Sequence, residues 1–277
     1  MSYKKILTIQ DISCVGQCSL TVALPILSAA GHETCILPSA VLSTHTAGFS
    51  NYTFRDLTDD IPAIKDHWLS EKIKFEAFYT GYLGSTKQIA FVKDILFGDL
   101  RNSGTVSIVD PAMADNGKLY PGFDDEFVDA MKSLAFSADM ILPNITEACM
   151  LTGYEYRETY DEAYIDGLLG KLAQAGAKCV ILTGVGFNSD KTGVIVFENG
   201  KKQYYEHERI AKGCHGTGDV YAASFVGALM NGKSKFESAK IAADFTLATI
   251  KNTIGDPSHW YGVKFEPVLG EYIKMLK

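Results

Sequence analysis

The sequence of 277 residues contains no apolar run near the roughly 18 residues of a membrane-spanning helix, so no bilayer-embedded segment and no membrane partner are expected. It also lacks any stretch rich in Pro, Ser or Gln, any block of like charge and any repeat of fixed period. Those absences argue against tethers and solenoids, and the expected organisation is one domain over residues 1–277. A surplus of positive charge is missing as well: 26 Lys and Arg against 33 Asp and Glu give a formal charge of -7, so nucleic acid is not an expected partner. The six cysteines show no paired close spacing of the zinc-site kind; Cys14 and Cys18 form C-x3-C with no second pair. A reduced, cytoplasmic protein is expected. The opening MSYKKILTIQDIS has neither the apolar length nor the cleavage site of a signal peptide, and it reads as a first buried strand.

What is present is a large apolar fraction, 47%, arranged in short β-branched runs alternating with longer amphipathic stretches. KKILTIQ, ETCILPS, FEAFYTG, TVSIVDP, DMILPN and KCVILTG read as strands separated by helices, the βαβ signature of a parallel sheet covered on both faces. TGVIVFENGKKQYYEHE breaks the alternation with two strand-like runs about Asn199-Gly200, which predicts an antiparallel hairpin at one sheet edge. Three helical stretches follow, near 218–230, 235–253 and 265–276. Ligands of such sheets collect at the carboxyl ends of parallel strands, where Asp11, Ser13, Thr80 to Tyr82, Asp110, Asn144 and Thr183 would fall.

Two glycine motifs fail on context. Gly227 to Ser234, GALMNGKS, satisfies the P-loop pattern G-x4-G-K-S/T, but it continues a helical run instead of following a strand. Asn231-Gly232 reads there as a helix C-cap. GVGFNS at 184–189 opens like a dinucleotide fingerprint, yet Ser189 replaces the third glycine and a hairpin follows, so a turn between strands is expected. Thr183 and Gly184 remain candidates to border a ligand.

GCHGTGD, residues 213–219, precedes the helical run VYAASFVGAL. The first N–H groups of a helix lack partners within it and lie at the positive end of its dipole, so Gly216, Thr217 and Gly218 could cradle an anion with Asp219 beside it. A carboxylate next to an anion cradle suits phosphoryl transfer from a nucleotide to an alcohol: the N–H groups take phosphoryl charge and the aspartate takes the hydroxyl proton. Each residue also has a plainer use. Asp219 could be a favourable first-turn charge, His45 a partner for backbone groups, Ser13 a cap, Tyr82 a packed aromatic, Asp110 an Asp-Pro turn residue and Cys214 a passive loop thiol.

HGTGD before a small-residue helix resembles the G-T/A-G-D signature of the ribokinase superfamily, and MILPNITEA, with Asn144 and Glu147, is similar to its N-x-x-E motif. The resemblance extends over nearly the whole chain. It implies a three-layer α/β/α sandwich without a separate lid domain, ATP with Mg2+ as cofactor, and Asn144 and Glu147 near the triphosphate and its hydrated Mg2+. Within the superfamily, QDISCVG, LSTHTAGF, YTGYLGS and VDPAMAD resemble segments of pyridoxal kinases. That likeness implies phosphorylation of the 5'-hydroxymethyl group of pyridoxal, pyridoxine or pyridoxamine, with Asp219 as base and Ser13, His45, Thr46 and Tyr82 around the acceptor. It places Asp110 by the phosphates and cations, K+ being an open candidate beside Mg2+, and it implies a homodimer. Cys214, near a positive helix end, is the candidate reactive thiol.

Departures bear on substrate choice. GQCSLT stands where pyridoxal kinases usually have a Gly-Asn pair, so the helix start under the ring differs. The related hydroxymethylpyrimidine kinases usually carry cysteine at the Asp219 position and a Gly-Gly-Ala-Gly run near the first strand, and this sequence has neither. Such a kinase is the alternative in chemistry, and a non-catalytic B6-binding regulator is the alternative in class.

Overall fold

The computed structural model describes residues 3–210 and 214–277; Gly213, the first residue of GCHGTGD, lies outside the described residues. The chain begins β1 (Lys5–Val15), α1 (Leu20–Ala29), β2 (Glu33–Thr44), β3 (Phe54–Asp56), α2 (Ile61–Ser70), β4 (Phe75–Thr80), α3 (Thr86–Phe97) and β5 (Arg101–Val109). A two-stranded ribbon, β6 (Ala114–Asp115) with β7 (Lys118–Leu119), leads to α4 (Asp125–Ala135), β8 (Met140–Ile141), α5 (Ile145–Thr152) and α6 (Glu162–Gln174). It ends in β9 (Cys179–Asn188), β10 (Lys191–Glu198), β11 (Lys201–Glu208), α7 (Thr217–Met230), α8 (Lys235–Thr253) and α9 (Leu269–Met275).

One sheet of nine strands in the order β11-β10-β9-β8-β5-β4-β1-β2-β3 carries the molecule. The pairs from β2 through β1, β4, β5 and β8 to β9 are parallel. Beyond β9 the sheet turns antiparallel, with Glu198 opposite Lys201 in the expected hairpin. Asn199 (φ 52°) and Gly200 (φ 74°) supply the positive φ angles of a tight primed turn. The other edge also ends antiparallel, because the three exposed residues of β3 fold back on β2.

Period-2 alternation sends successive strand residues into two cores. On β4, Ala77 and Tyr79 join Val22, Val226 and Phe245 under α1, α7 and α8, whereas Phe78 joins Leu96, Leu134 and Leu168 under α3, α4 and α6. The result is the expected three-layer α/β/α sandwich. Because β1 lies between β2 and β4, the chain leaves the centre of the sheet in opposite directions on either side of it. That switch point opens a crevice at the carboxyl ends of β1 and β4. Among the described residues no helix is long and apolar enough to cross a membrane.

Both glycine motifs set aside in the sequence are structural. GVGFNS is not a turn but the continuation of β9 through Asn188, with Gly184 (φ 74°) beside a register shift against β10. GALMNGKS spans the end of α7, its cap and the Ser234 cap of α8. A Cβ on Gly227 would overlap the Tyr272 hydroxyl and crowd the Ala30 side chain at 2.9 Å, so this glycine serves helix packing. Gly227→Val is therefore expected to lower unfolding free energy by about 2 kcal/mol in urea titrations. Lys233→Ala is expected to leave both stability and the KM for ATP unchanged, a result a phosphate-binding P-loop would not give.

Candidate active site

At the end of β1, Asp11 is only 4% exposed and Ser13 1%. They lie two residues apart on one face of the strand, and the Ser13 hydroxyl donates to Asp11 Oδ2 at 2.9 Å. Burial raises the Asp11 pKa, and the hydroxyls of Ser19 and Ser13 work against it. Tyr82, just past β4, is half-buried and stacks on Phe123. Its phenol is pushed up to about 12, by burial first and then by the Asp11 charge, which sets it on the same crevice.

His45 leaves β2 buried, with both ring nitrogens engaged by backbone. Nδ1 accepts the Ala47 N–H at 3.2 Å, which puts the ring proton on Nε2, and Nε2 donates to the Tyr261 carbonyl at 2.6 Å. Phe49 stands edge-on to His45 and packs against Trp260, with ring centroids 4.7 Å apart. His45 thus fastens its loop to the segment before α9, leaving Thr46 exposed beside it. No local pattern in the sequence marks Tyr261 as its partner.

Across the crevice, Asp110 follows β5. Its N–H donates to the Thr80 carbonyl at 3.1 Å, and its Oδ1 accepts the Ala112 N–H at 3.1 Å. Asn144 and Glu147 form a reciprocal capping box at the start of α5. The box reaches further than a cap. Glu147 accepts N–H groups from Asn144 and Met113, both at 2.9 Å, and the Asn144 amide donates to the Ala114 carbonyl at 2.8 Å. The two residues therefore fix the loop that follows Asp110. Burial nevertheless pushes Glu147 up to about 7, and it lifts Asp110 well above the carboxylate range, helped by the charges of Glu147 and Asp219. Thr183 donates its N–H to the Pro143 carbonyl at 3.0 Å, joining β9 to the α5 cap, while Gly184 beside it is exposed.

The GTGD turn closes the site from the other helical layer. Gly216 adopts φ 79°, and a Cβ there would overlap the Gln17 carbonyl oxygen, so only glycine fits. Gly218, in the first turn of α7, has nothing within 4 Å of its Cβ position. Thr217 donates its hydroxyl to the Cys214 carbonyl at 3.3 Å, and the half-buried Cys214 side chain packs on the core under α7 and α8. Asp219, partly accessible, is pushed up to about 7 by burial and by Asp11, against the Ser19 N–H that favours its charge. Cys18, between the two carboxylates, has its thiol raised by burial, then by Asp219 and Asp11. Ser19 is the residue that sequence reasoning did not select; Asp11 was read as a polar residue at a strand's carboxyl end, without a role of its own.

A bare helix start with a carboxylate raised to about 7 beside it, at the switch point of a doubly wound sheet, fits the class of alcohol phosphotransferases. Residues 33–262 match the phosphomethylpyrimidine kinase family, and the chain belongs to that family. It is similar to pyridoxal kinase from Lactobacillus plantarum, at 31% identity and TM-score 0.91 over 99% of this chain and 98% of that one. A Bacteroides thetaiotaomicron protein ascribed to the phosphomethylpyrimidine kinases, crystallised with pyridoxal, is 36% identical with TM-score 0.90, covering 98% of this chain and 96% of that one. The pyridoxal kinase of Dictyostelium discoideum is 25% identical over 240 residues, 80% of this chain and 77% of its own. The ribokinase-like fold and the likeness to pyridoxal kinases read from the sequence are both borne out.

Glu147→Gln tests the capping network: the new amide must turn a donor toward one of two buried backbone N–H groups. At pH 8 it is expected to lower unfolding free energy by about 2 kcal/mol in urea titrations. Unchanged stability would mean that the carboxylate does not hold the loop.

Proposed function

We propose that this protein transfers the γ-phosphoryl group of ATP to the 5'-hydroxymethyl group of pyridoxal, pyridoxine or pyridoxamine, giving the 5'-phosphate. One observation carries the reading: Asp219 lies in the first turn of α7, directly after Gly216-Thr217-Gly218, among the carboxyl ends of the parallel strands, with its carboxyl lifted to about 7. Asp219 orients the acceptor hydroxyl and takes its proton, a task suited to a base whose pKa is close to the working pH. The N–H groups at the start of α7 face the charge that develops on the phosphoryl oxygens, and the open space at Gly218 lets those oxygens approach the backbone. Ser13 and Tyr82 border the acceptor, with His45 and Thr46 on the loop beside it; Asn144, Thr183 and Gly184 border the nucleotide.

A divalent cation fits this site through water. Among the described residues no three His, Cys, Asp or Glu side chains stand close enough to hold an ion directly, and the Glu147 oxygens already accept backbone N–H groups. Asp110, its carboxyl raised by burial and then by the Glu147 and Asp219 charges, and the buried, unpartnered Thr80 hydroxyl are the groups that call for a hydrated cation. Mg2+ bound with ATP would neutralise phosphate charge there, with Asp110 and Glu147 holding its water shell, and K+ is the candidate second cation. The protein is proposed to act in the cytoplasm, as a homodimer, on small molecules alone. A second reading, hydroxymethylpyrimidine kinase, draws on the family that the chain matches. Asp219 in place of the usual cysteine weighs toward the B6 vitamers.

With Mg-ATP and a panel of B6 vitamers, hydroxymethylpyrimidine and sugars, ADP release is expected to be fastest with a B6 vitamer. A higher kcat/KM on hydroxymethylpyrimidine would transfer the assignment to the second reading. Asp219→Asn is expected to lower kcat about a thousandfold with little change in acceptor affinity. As pH falls through about 7, Asp219 takes up a proton and can no longer accept one, so kcat/KM is expected to decline below that pH with an apparent pKa of about 7. A decline that begins only near 4 would show that the base is an ordinary solvated carboxylate.

A further inference from the structure

The carboxyl end of β9 is bulged against β10. Thr183 pairs with Val194, Val185 with Gly193 and Asn188 with Lys191, so six residues of β9, 183–188, lie opposite four of β10, 191–194. Gly184, Gly186 and Phe187 have no counterpart in that register. Backbone groups displaced from a ladder need other partners, and two tyrosines supply them. The Tyr160 hydroxyl accepts the Gly186 N–H at 3.1 Å and donates to the Gly184 carbonyl at 3.4 Å, the longer of the two contacts. Tyr204, on β11, donates to the Val185 carbonyl at 3.2 Å. The two glycines differ in what lies beside them. A Cβ on Gly186 would overlap the Lys191 carbonyl, whereas the exposed Gly184, at φ 74°, has nothing within 4 Å of its Cβ position. The bulge begins beside the Asn144 cap, because Thr183 forms a parallel bridge with Asn144.

Tyr160 reaches this bulge from a fixed base. It directly precedes Asp161, the N-cap of α6, whose carboxylate accepts the Tyr164 N–H at 2.9 Å. Its ring stacks on Tyr164, with centroids 5.7 Å apart, and meets Phe187 edge-on at 6.3 Å. Phenylalanine would make the same ring contacts. The hydroxyl is what bridges the two peptide groups flanking Val185.

We propose that Tyr160 is a positioning residue for the nucleotide, its hydroxyl fixing the β9 bulge in the shape that presents the open backbone of Gly184 to ATP. This inference rests on Gly184 bordering the nucleotide. Gly186 is half-buried, so water can take over its N–H when the hydroxyl is lost, and little stability goes with it. Water does not supply a bridge tied to α6. Ser13 and Tyr82 stand at the ends of β1 and β4, with β5 and β8 between them and β9, so acceptor binding is left unchanged.

The test is Tyr160→Phe, read by the KM values for ATP and pyridoxal, kcat, Tm and amide hydrogen exchange over residues 183–188. The KM for ATP is expected to rise about fivefold and exchange over 183–188 to quicken. Pyridoxal KM and kcat are expected to stay within about twofold of wild type, and Tm within about 2 °C. The proposal is overturned by an ATP KM within about twofold of wild type, by unchanged exchange, or by both KM values rising as Tm falls, the mark of a merely structural tyrosine. Gly184→Asn, which tolerates the left-handed backbone and puts a side chain into the open space, tests the underlying reading. If it leaves the ATP KM unchanged, the reading of Gly184 fails and the proposal with it; if it raises that KM while Tyr160→Phe does not, only the role of Tyr160 fails.

Discussion

The α-carbon of Gly216 and the carbonyl oxygen of Gln17 share a space with no room for a side chain. This close approach joins the turn after β1 to the first turn of α7, elements from opposite ends of the chain, and the arrangement of the acids depends on it. With the two turns locked, Asp219 faces Asp11 from α7 and faces Asp110 at the end of β5. The lock is braced from outside. Gln17 donates its amide to Glu266 at 2.6 Å, and the Val263 N–H donates to the His215 carbonyl at 3.2 Å, so the segment before α9 closes over both turns. His45 adds its loop to the same segment through the Tyr261 carbonyl.

Holding Asp11, Asp110, Glu147 and Asp219 at the ends of the parallel strands costs stability, because each is shifted toward its protonated form by burial, and all but Asp11 also by neighbouring carboxylates. The protein meets that cost with local hydrogen bonds: backbone N–H groups at Glu147 and Asp219, hydroxyls at Asp11, and the Ala112 N–H at Asp110. These are fixed dipoles, already oriented before any ligand arrives. A cationic or hydrogen-bond-rich ligand that binds among the acids also relieves their mutual repulsion, so the same arrangement that weakens the fold favours the bound state.

The parts legible in the sequence are those whose signal is local. Alternating strands and helices, the Asn199-Gly200 hairpin, the helices that became α7 and α8, and the glycine-rich turn before Asp219 each follow from spacing within about a dozen residues. The N-x-x-E segment was legible as a motif, and its capping-box form adds the way Glu147 reaches across to Met113. β3 could not be read, since three exposed residues have no periodicity and gain order only by pairing with β2. The bond from His45 to Tyr261 spans 216 residues, and no composition rule joins such a pair. Asp11 was visible as a polar strand end, whereas the effect of its charge on Asp219, from the far end of the chain, exists only in three dimensions.

Glycine-rich motifs in this chain separate once the space of each missing side chain is considered. Gly227 completes a P-loop pattern, but its absent Cβ is replaced by the Tyr272 hydroxyl and Ala30, atoms of the protein itself. Gly216 is bare for a backbone contact, with the Gln17 carbonyl where its side chain would be. Both spaces are filled, so neither can admit a phosphate. Gly218 opens onto nothing within 4 Å at the start of a helix, one residue before the proposed base; Gly184 and Gly232 are as open, but neither begins a helix. A letter pattern records which residues lack side chains; what occupies the space they vacate decides whether that absence serves packing or leaves room for a ligand.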